Sequence, residues 1–292
     1  KLLASTVQES LGGVILVMSA VLLCSVAEDC FHPLSDGKLL DPVPLVGTLV
    51  ILLAVGSNMK NLMGLGEETI RELNVFSKAL LPTLSAATAA GGGAMSASVR
   101  QVATVFFSVL LMCLIHGLLF PMVWVFVALS AEDAILPAGR LGGIARGLQK
   151  AVTWLLSGGL LLFTGYLSLS GAFATSADGL ALRMARSAIG TAIPVVGGII
   201  SDAADTILAG AGVLRQSVGV AGTLTVLAIC VLPFLKLGIQ YLLLKLAAFF
   251  AATVAPEPLV RLVSSLSTAF GLVLGMTGAA ALLLLISVAS SV

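Results

Sequence analysis

The sequence predicts an all-α, polytopic integral membrane protein with about seven or eight membrane segments, two interrupted helices and an internal repeat. Three observations carry this prediction. Of 292 residues, 59% are hydrophobic and only 10% are charged, with a mean hydropathy of +1.14; a soluble domain carries about 25% charged residues. Several apolar runs are long enough to span a bilayer as helices. The 31 glycines fall largely inside those runs, which suits close helix approach and broken helices.

Composition also excludes. The net charge of +1 offers no basic face, so no nucleic-acid partner is expected. Cys24, Cys30, Cys113 and Cys230 form no CxxC pair and have no histidine at ligand spacing, so no metal and no cofactor are expected. Cys24 and Cys30 can form a disulfide if the loop after the first helix faces an oxidising compartment; buried or free thiols are the alternative. The chain opens at Lys1 without a methionine, as a removed signal peptide or a trimmed chain would leave it.

In chain order, Leu11–Val26 is a short apolar run, followed by an acidic loop from Glu28 to Asp41 and a second short span over Pro42–Val55. Asn58–Lys78 interleaves Met59, Leu62, Leu65, Ile70, Leu73 and Phe76 with Lys60, Glu67, Glu68, Arg71 and Glu72. That pattern reads as an amphipathic helix on the membrane surface or between subunits; a solvated linking helix fits as well. Ala79–Ser98 holds Pro82 and the Gly91, Gly92, Gly93 cluster and reads as interrupted. Val102–Ser130 contains His116 and Pro121 and is too long for one upright span, so it tilts, kinks at Pro121 or forms two pieces.

Arg140–Lys150 is short, basic and amphipathic, and Ala151–Thr175 is a clear span. Asp178–Arg186 is a second basic amphipathic stretch. Val218–Val254 reads as two helices meeting near Pro233, or as one long helix projecting from the bilayer. Pro256–Thr268 is amphipathic and Phe270–Val288 is the last span. The basic 139–150 loop favours the cytoplasmic side and the acidic 28–41 loop the opposite one.

The order interrupted helix, long run, surface helix, Gly-rich span occurs twice. Gly92-Gly93 with Ser96 matches Gly197-Gly198 with Ser201; Pro121 matches Pro233, Arg146 matches Arg261, and Thr164-Gly165 matches Thr277-Gly278. The divisions are therefore 1–69, N-terminal segments with the amphipathic helix; 70–178, the first repeat; and 179–292, the second. If each copy crosses the membrane an odd number of times, the copies are inverted and their broken segments meet near the midplane.

The stretch from Thr191 to Thr206 carries the candidate site. Pro194 disfavours helix before itself, and Gly197 and Gly198 weaken helix by about 1 kcal/mol each. Ser201, Asp202, Asp205 and Thr206 then form a polar stripe, which is tolerated at membrane depth mainly where it faces protein or a wet cavity. The same residues also fit a plainer role, with Ser201 capping a new helix and both acids in its first turn. Under the repeat, Ser96 falls on Ser201 and Arg100 on Asp205. Arg100 then approaches Asp202 or Asp205, lining a polar passage or locking it closed.

No Walker A loop, dinucleotide fingerprint or HExxH motif is present, so no enzyme is predicted. Ser96 or Ser98 with His116 would suit an intramembrane protease only within hydrogen-bond reach, which nothing in the spacing argues. A lone histidine on an apolar helix is more often packed and hydrogen-bonded.

Phe76-Ser-Lys-Ala-Leu-Leu-Pro82 running into Gly91–Gly93, and Ile193-Pro-Val-Val-Gly-Gly198 running into Ser201, Asp202, Asp205 and Thr206, resemble the stage III sporulation protein AE family of endospore-forming bacteria. The resemblance runs from about Leu45 to the end. It implies a multi-pass protein of the mother-cell membrane around the forespore. It also implies membership of the secretion-like channel, or feeding-tube, complex with other stage III sporulation proteins. Family members are longer at the N-terminus, with a signal-like segment. The expected function is the membrane-embedded part of that complex, in the lipid bilayer and as a homo- or hetero-oligomer. A secondary transporter with its site at the paired broken helices, or a non-conducting scaffold for partner subunits, are the alternatives.

Overall fold

The structure is a computed structural model. It describes the backbone of residues 2–31, 42–90, 94–135, 142–192 and 197–291, and their side chains except those of 2–10, 28–31, 42–44, 57, 94–97, 99–100, 170–177, 182, 185–192, 197–205 and 291. Every described element is helical: α1 (Leu2–Phe31), α2 (Pro42–Ala90), α3 (Ala94–Leu114), a π turn (Ile115–Leu119), α4 (Phe120–Ile135), α5 (Gly142–Ala192), α6 (Gly197–Ala251) and α7 (Glu257–Ser291).

Among the described residues, four helical stretches are long and apolar enough to cross a membrane: Gln101–Ile135, Gly142–Leu169, Thr206–Ala251 and Glu257–Ser290. A fifth candidate is the pair Leu45–Gly56 and Asn58–Ala90, bent by 41°. This corrects the expected seven or eight segments, and the reason is continuity. Pro82, read as part of an interrupted segment, sits inside α2, and Pro233, read as the meeting point of two helices or as part of one long helix, sits inside α6. A proline removes one hydrogen bond and crowds one carbonyl, which a helix of 49 or 55 residues absorbs when its flanks are packed. The separate surface helices over 140–150 and 178–186 fuse with the span between them into the 51-residue α5. Pro256–Thr268 likewise runs into the last span within α7, apart from Pro256 itself.

The chain divides into two compact units. Unit 1 comprises Lys1–Thr69, Leu114–Leu156 and Val231–Gly278; unit 2 comprises Ile70–Cys113, Ser157–Cys230 and Ala279–Val292. In unit 1, α7 is the core. Leu259, Leu262, Val263, Ala269, Phe270, Val273 and Met276 are fully buried. Of the most apolar window of α7, 61% is buried, against 22–28% for the other three long spans. The buried side of α2 in this unit is Ile51, Val55, Met59, Leu62 and Met63 at helical spacing. The amphipathic stretch 58–78 is thus the middle of a long packed helix, and its apolar face is covered by protein.

Close packing in unit 1 rests on glycine. A Cβ at Gly66 would lie 2.7 Å from Val273 Cγ1, and one at Gly278 would lie 3.2 Å from Phe234 Cζ. The turn between α6 and α7 is closed by Val254 and Ala255 N–H groups donating to Ala251 O, and α1 is tied to it by Ser25 Oγ donating to Val254 O at 2.6 Å. In unit 2, Phe107 of α3 packs on Phe163 and Tyr166 of α5 with ring centroids 5.2 and 6.1 Å apart. Thr104 and Ser287 hydroxyls bond at 2.6 Å between α3 and α7.

Candidate functional site

The polar features inside the apolar helices begin with a distortion. Pro121 has no N–H to offer Gly117 O, and its ring crowds that carbonyl. The turn just before it widens to π geometry, in which the Phe120 N–H donates to Ile115 O, five residues back. Ile115 and Leu119 anchor this turn in the core at 0% exposure. Single π turns inside α-helices occur frequently at functional sites.

His116 lies in that turn, on the Gln101–Ile135 span. Its Nδ1 is 3.1 Å from Glu67 Oε1 of α2, and its ring stacks on Phe120 at 6.1 Å with 21° between planes. Both partners belong to unit 1. The side chains are 32% and 53% exposed, so the pair sits at the boundary of the packed interior. Gly66, directly before Glu67, brings α2 against Val273, Thr277 and Leu237. The close approach fixes the height of the carboxylate. The histidine and the carboxylate join the π turn to α2 by a polar contact. His116 is thus neither lone nor fully packed.

A second polar cluster in unit 1 is structural. Asp133 Oδ1 accepts the Gly142 N–H at 2.9 Å, satisfying a donor at the start of α5. Asp133 Oδ2 lies 3.9 Å from Arg261 Nε, and Arg261 Nη1 lies 3.2 Å from Glu257 Oε1. In unit 2, α2, α3 and α7 line a half-open cavity of about 20 Å³ bordered by Asn74, Ser77 and Ser108 among apolar side chains.

Of the site residues predicted from the sequence, Thr206 is an exposed residue of α6. The side chains of Ser201, Asp202, Asp205 and Arg100 lie outside the described residues, as do Pro194 and the Gly91, Gly92, Gly93 cluster and the side chain of Cys30. Gly197 and Gly198 are the opening residues of α6. Ser201 is therefore a full turn inside that helix, which removes its reading as the cap. Among the described residues no group of three or more His, Cys, Asp or Glu side chains could hold a metal ion.

Sequence reasoning missed the Glu67–His116 pair. The available signal was Pro121, which marks a distorted helix around His116 without fixing the form of the distortion. Nothing local singles out Glu67 from Glu68 and Glu72.

A family model described as Stage III sporulation protein AE matches residues 1–292. Stage III sporulation protein AE of Bacillus subtilis (strain 168) is 26% identical over 257 residues, covering 88% of this chain and 64% of the relative. The chain thus spans slightly under two thirds of that relative's length. No solved structure matches. With the family pattern satisfied across all 292 residues of an all-helical, strongly apolar chain, the protein belongs to the stage III sporulation protein AE family.

Proposed function

We propose that the chain is the membrane-embedded component of the channel complex between mother cell and forespore, assembled with other stage III sporulation proteins in the mother-cell membrane. The observation that carries this reading is the combination of a sporulation family with four long apolar helices, one of which holds, at a π turn, a histidine that pairs with Glu67 of α2. Ionisable residues on apolar helices often mark transport paths, which favours this reading over a purely structural scaffold. In this reading Glu67 and His116 form one polar element of the transport path. Asp202, Asp205 and Arg100 form another, lining a passage or holding it shut.

The test is made in a sporulating host carrying the full-length protein. His116→Ala, Glu67→Gln and the double variant Asp202→Asn with Asp205→Asn should each reduce heat-resistant spores and late forespore gene expression. Membrane insertion and protein level should remain normal. Wild-type sporulation in all three would overturn the polar-path reading. Normal late forespore expression in a strain lacking the protein would overturn membership of the channel complex. A secondary transporter would instead bind a small ligand as an isolated protein.

A further inference from the structure

The cavity of unit 2 lies between three helices, two of which carry polar groups on otherwise apolar faces. Asn74 and Ser77 come from α2, Ser108 from α3, and Ala280, Leu283 and Leu284 from α7. Ser77 Oγ donates to Asn74 O at 2.8 Å, which leaves its lone pairs as acceptors. Ser108 Oγ is buried and has no protein hydrogen-bond partner. One turn earlier on α3, Thr104 is satisfied by Ser287 at 2.6 Å. Ser108 is therefore the unsatisfied member of a polar seam.

A buried hydroxyl without a partner is destabilising, and most such groups in native proteins are bonded to protein or ordered water. Apolar cavities stay dry, whereas a polar one with two or more partners and at least about 10–15 Å³ of probe-sized space holds a water. This half-open cavity has about 20 Å³, and Asn74, Ser77 and Ser108 interrupt an otherwise apolar wall, which gives room and polar partners for one water.

We infer that the cavity between α2, α3 and α7 binds one ordered water that joins Ser108 Oγ to the polar groups of Asn74 and Ser77. The water completes the hydrogen bonding of Ser108 and links α2 to α3. The site is independent of the channel reading, because it concerns how unit 2 is held together.

Opposite signs make the inference testable. If the water is present, Ser108→Ala removes one end of a bridge and lowers the thermal midpoint of the full chain in detergent. Asn74→Ala then lowers it too, and the double variant loses less than the sum of the two. If the hydroxyl is bare, Ser108→Ala relieves an unpaired group and leaves the midpoint unchanged or raises it, which overturns the inference. A density map of the wild-type protein fine enough to show waters is the second measurement. A peak within hydrogen-bond distance of Ser108 Oγ and Asn74 supports the site, and an empty cavity overturns it even if a variant fails to fold.

Discussion

At the residue scale, glycines divide sharply by surroundings. A methyl group at Gly66 would meet Val273 Cγ1 at 2.7 Å, whereas a methyl at Gly165 would meet nothing within 4 Å. Gly66→Ala should therefore destabilise the protein by about 1–3 kcal/mol through overpacking. Gly165→Ala should raise stability by up to about 1 kcal/mol, because glycine is the poorer helix former. Thermal midpoints of the two variants in one detergent check the pair of signs; a fall in both, or in neither, refutes the packing role of Gly66. The sequence singled out Thr164-Gly165 and Thr277-Gly278 as equivalents. The structure gives them different surroundings: Thr277 is buried with Gly278 against Phe234, and Thr164 is exposed. A dipeptide carries no record of what packs on it, so this difference was not legible.

At the element scale, Pro121 holds the π turn that brings His116 to Glu67. Pro121→Ala restores the donor and removes the ring, so the turn should tighten to α geometry. Losing one residue from the turn rotates the preceding part of the helix by about 100° relative to the following part. Cysteines at 67 and 116, joined by a short bifunctional reagent, should crosslink well with Pro121 present and poorly with alanine there. Equal yields would show that the turn does not depend on proline. The long apolar run containing Pro121 was legible in the sequence, as was its departure from a plain helix. The form of the departure was not, because tilt, kink and widened turn all suit one proline. The continuity of α5, and of α2 through Pro82, was also hidden, whereas one long helix was among the sequence readings of α6. Proline and glycine lower local helix preference by fixed amounts, while tertiary contacts spread over 49, 51 and 55 residues outweigh them.

At the scale of the whole molecule, all-helical membrane character was legible from composition alone, since low charge and long apolar runs admit few other structures. The candidate site was legible only in kind. Polar residues inside apolar helices flag function, but pairing Glu67 with His116 requires knowing which helices meet. Core position follows from the same meeting of helices and predicts a contrast. Phe270 on α7 is fully buried, and Phe249 on α6 is 68% exposed. Phe270→Ala should cost about 3–5 kcal/mol, and Phe249→Ala should change stability little. Similar losses in both would mean that α7 is not the core.

The burial of α7 also bears on how the protein is made. Translation releases α1 to α6 before the helix whose first part, up to Gly278, fills unit 1 and whose remainder, from Ala279, completes unit 2. Until then the residues that pack against α7 lack their core partner. A chain stopped before Glu257 should still insert but be cleared rapidly by membrane proteases. Supplying Glu257–Ser291 as a separate membrane peptide should slow that clearance, measurable by pulse-chase. A stopped chain as long-lived as the whole one would mean that the first six helices form a finished body by themselves.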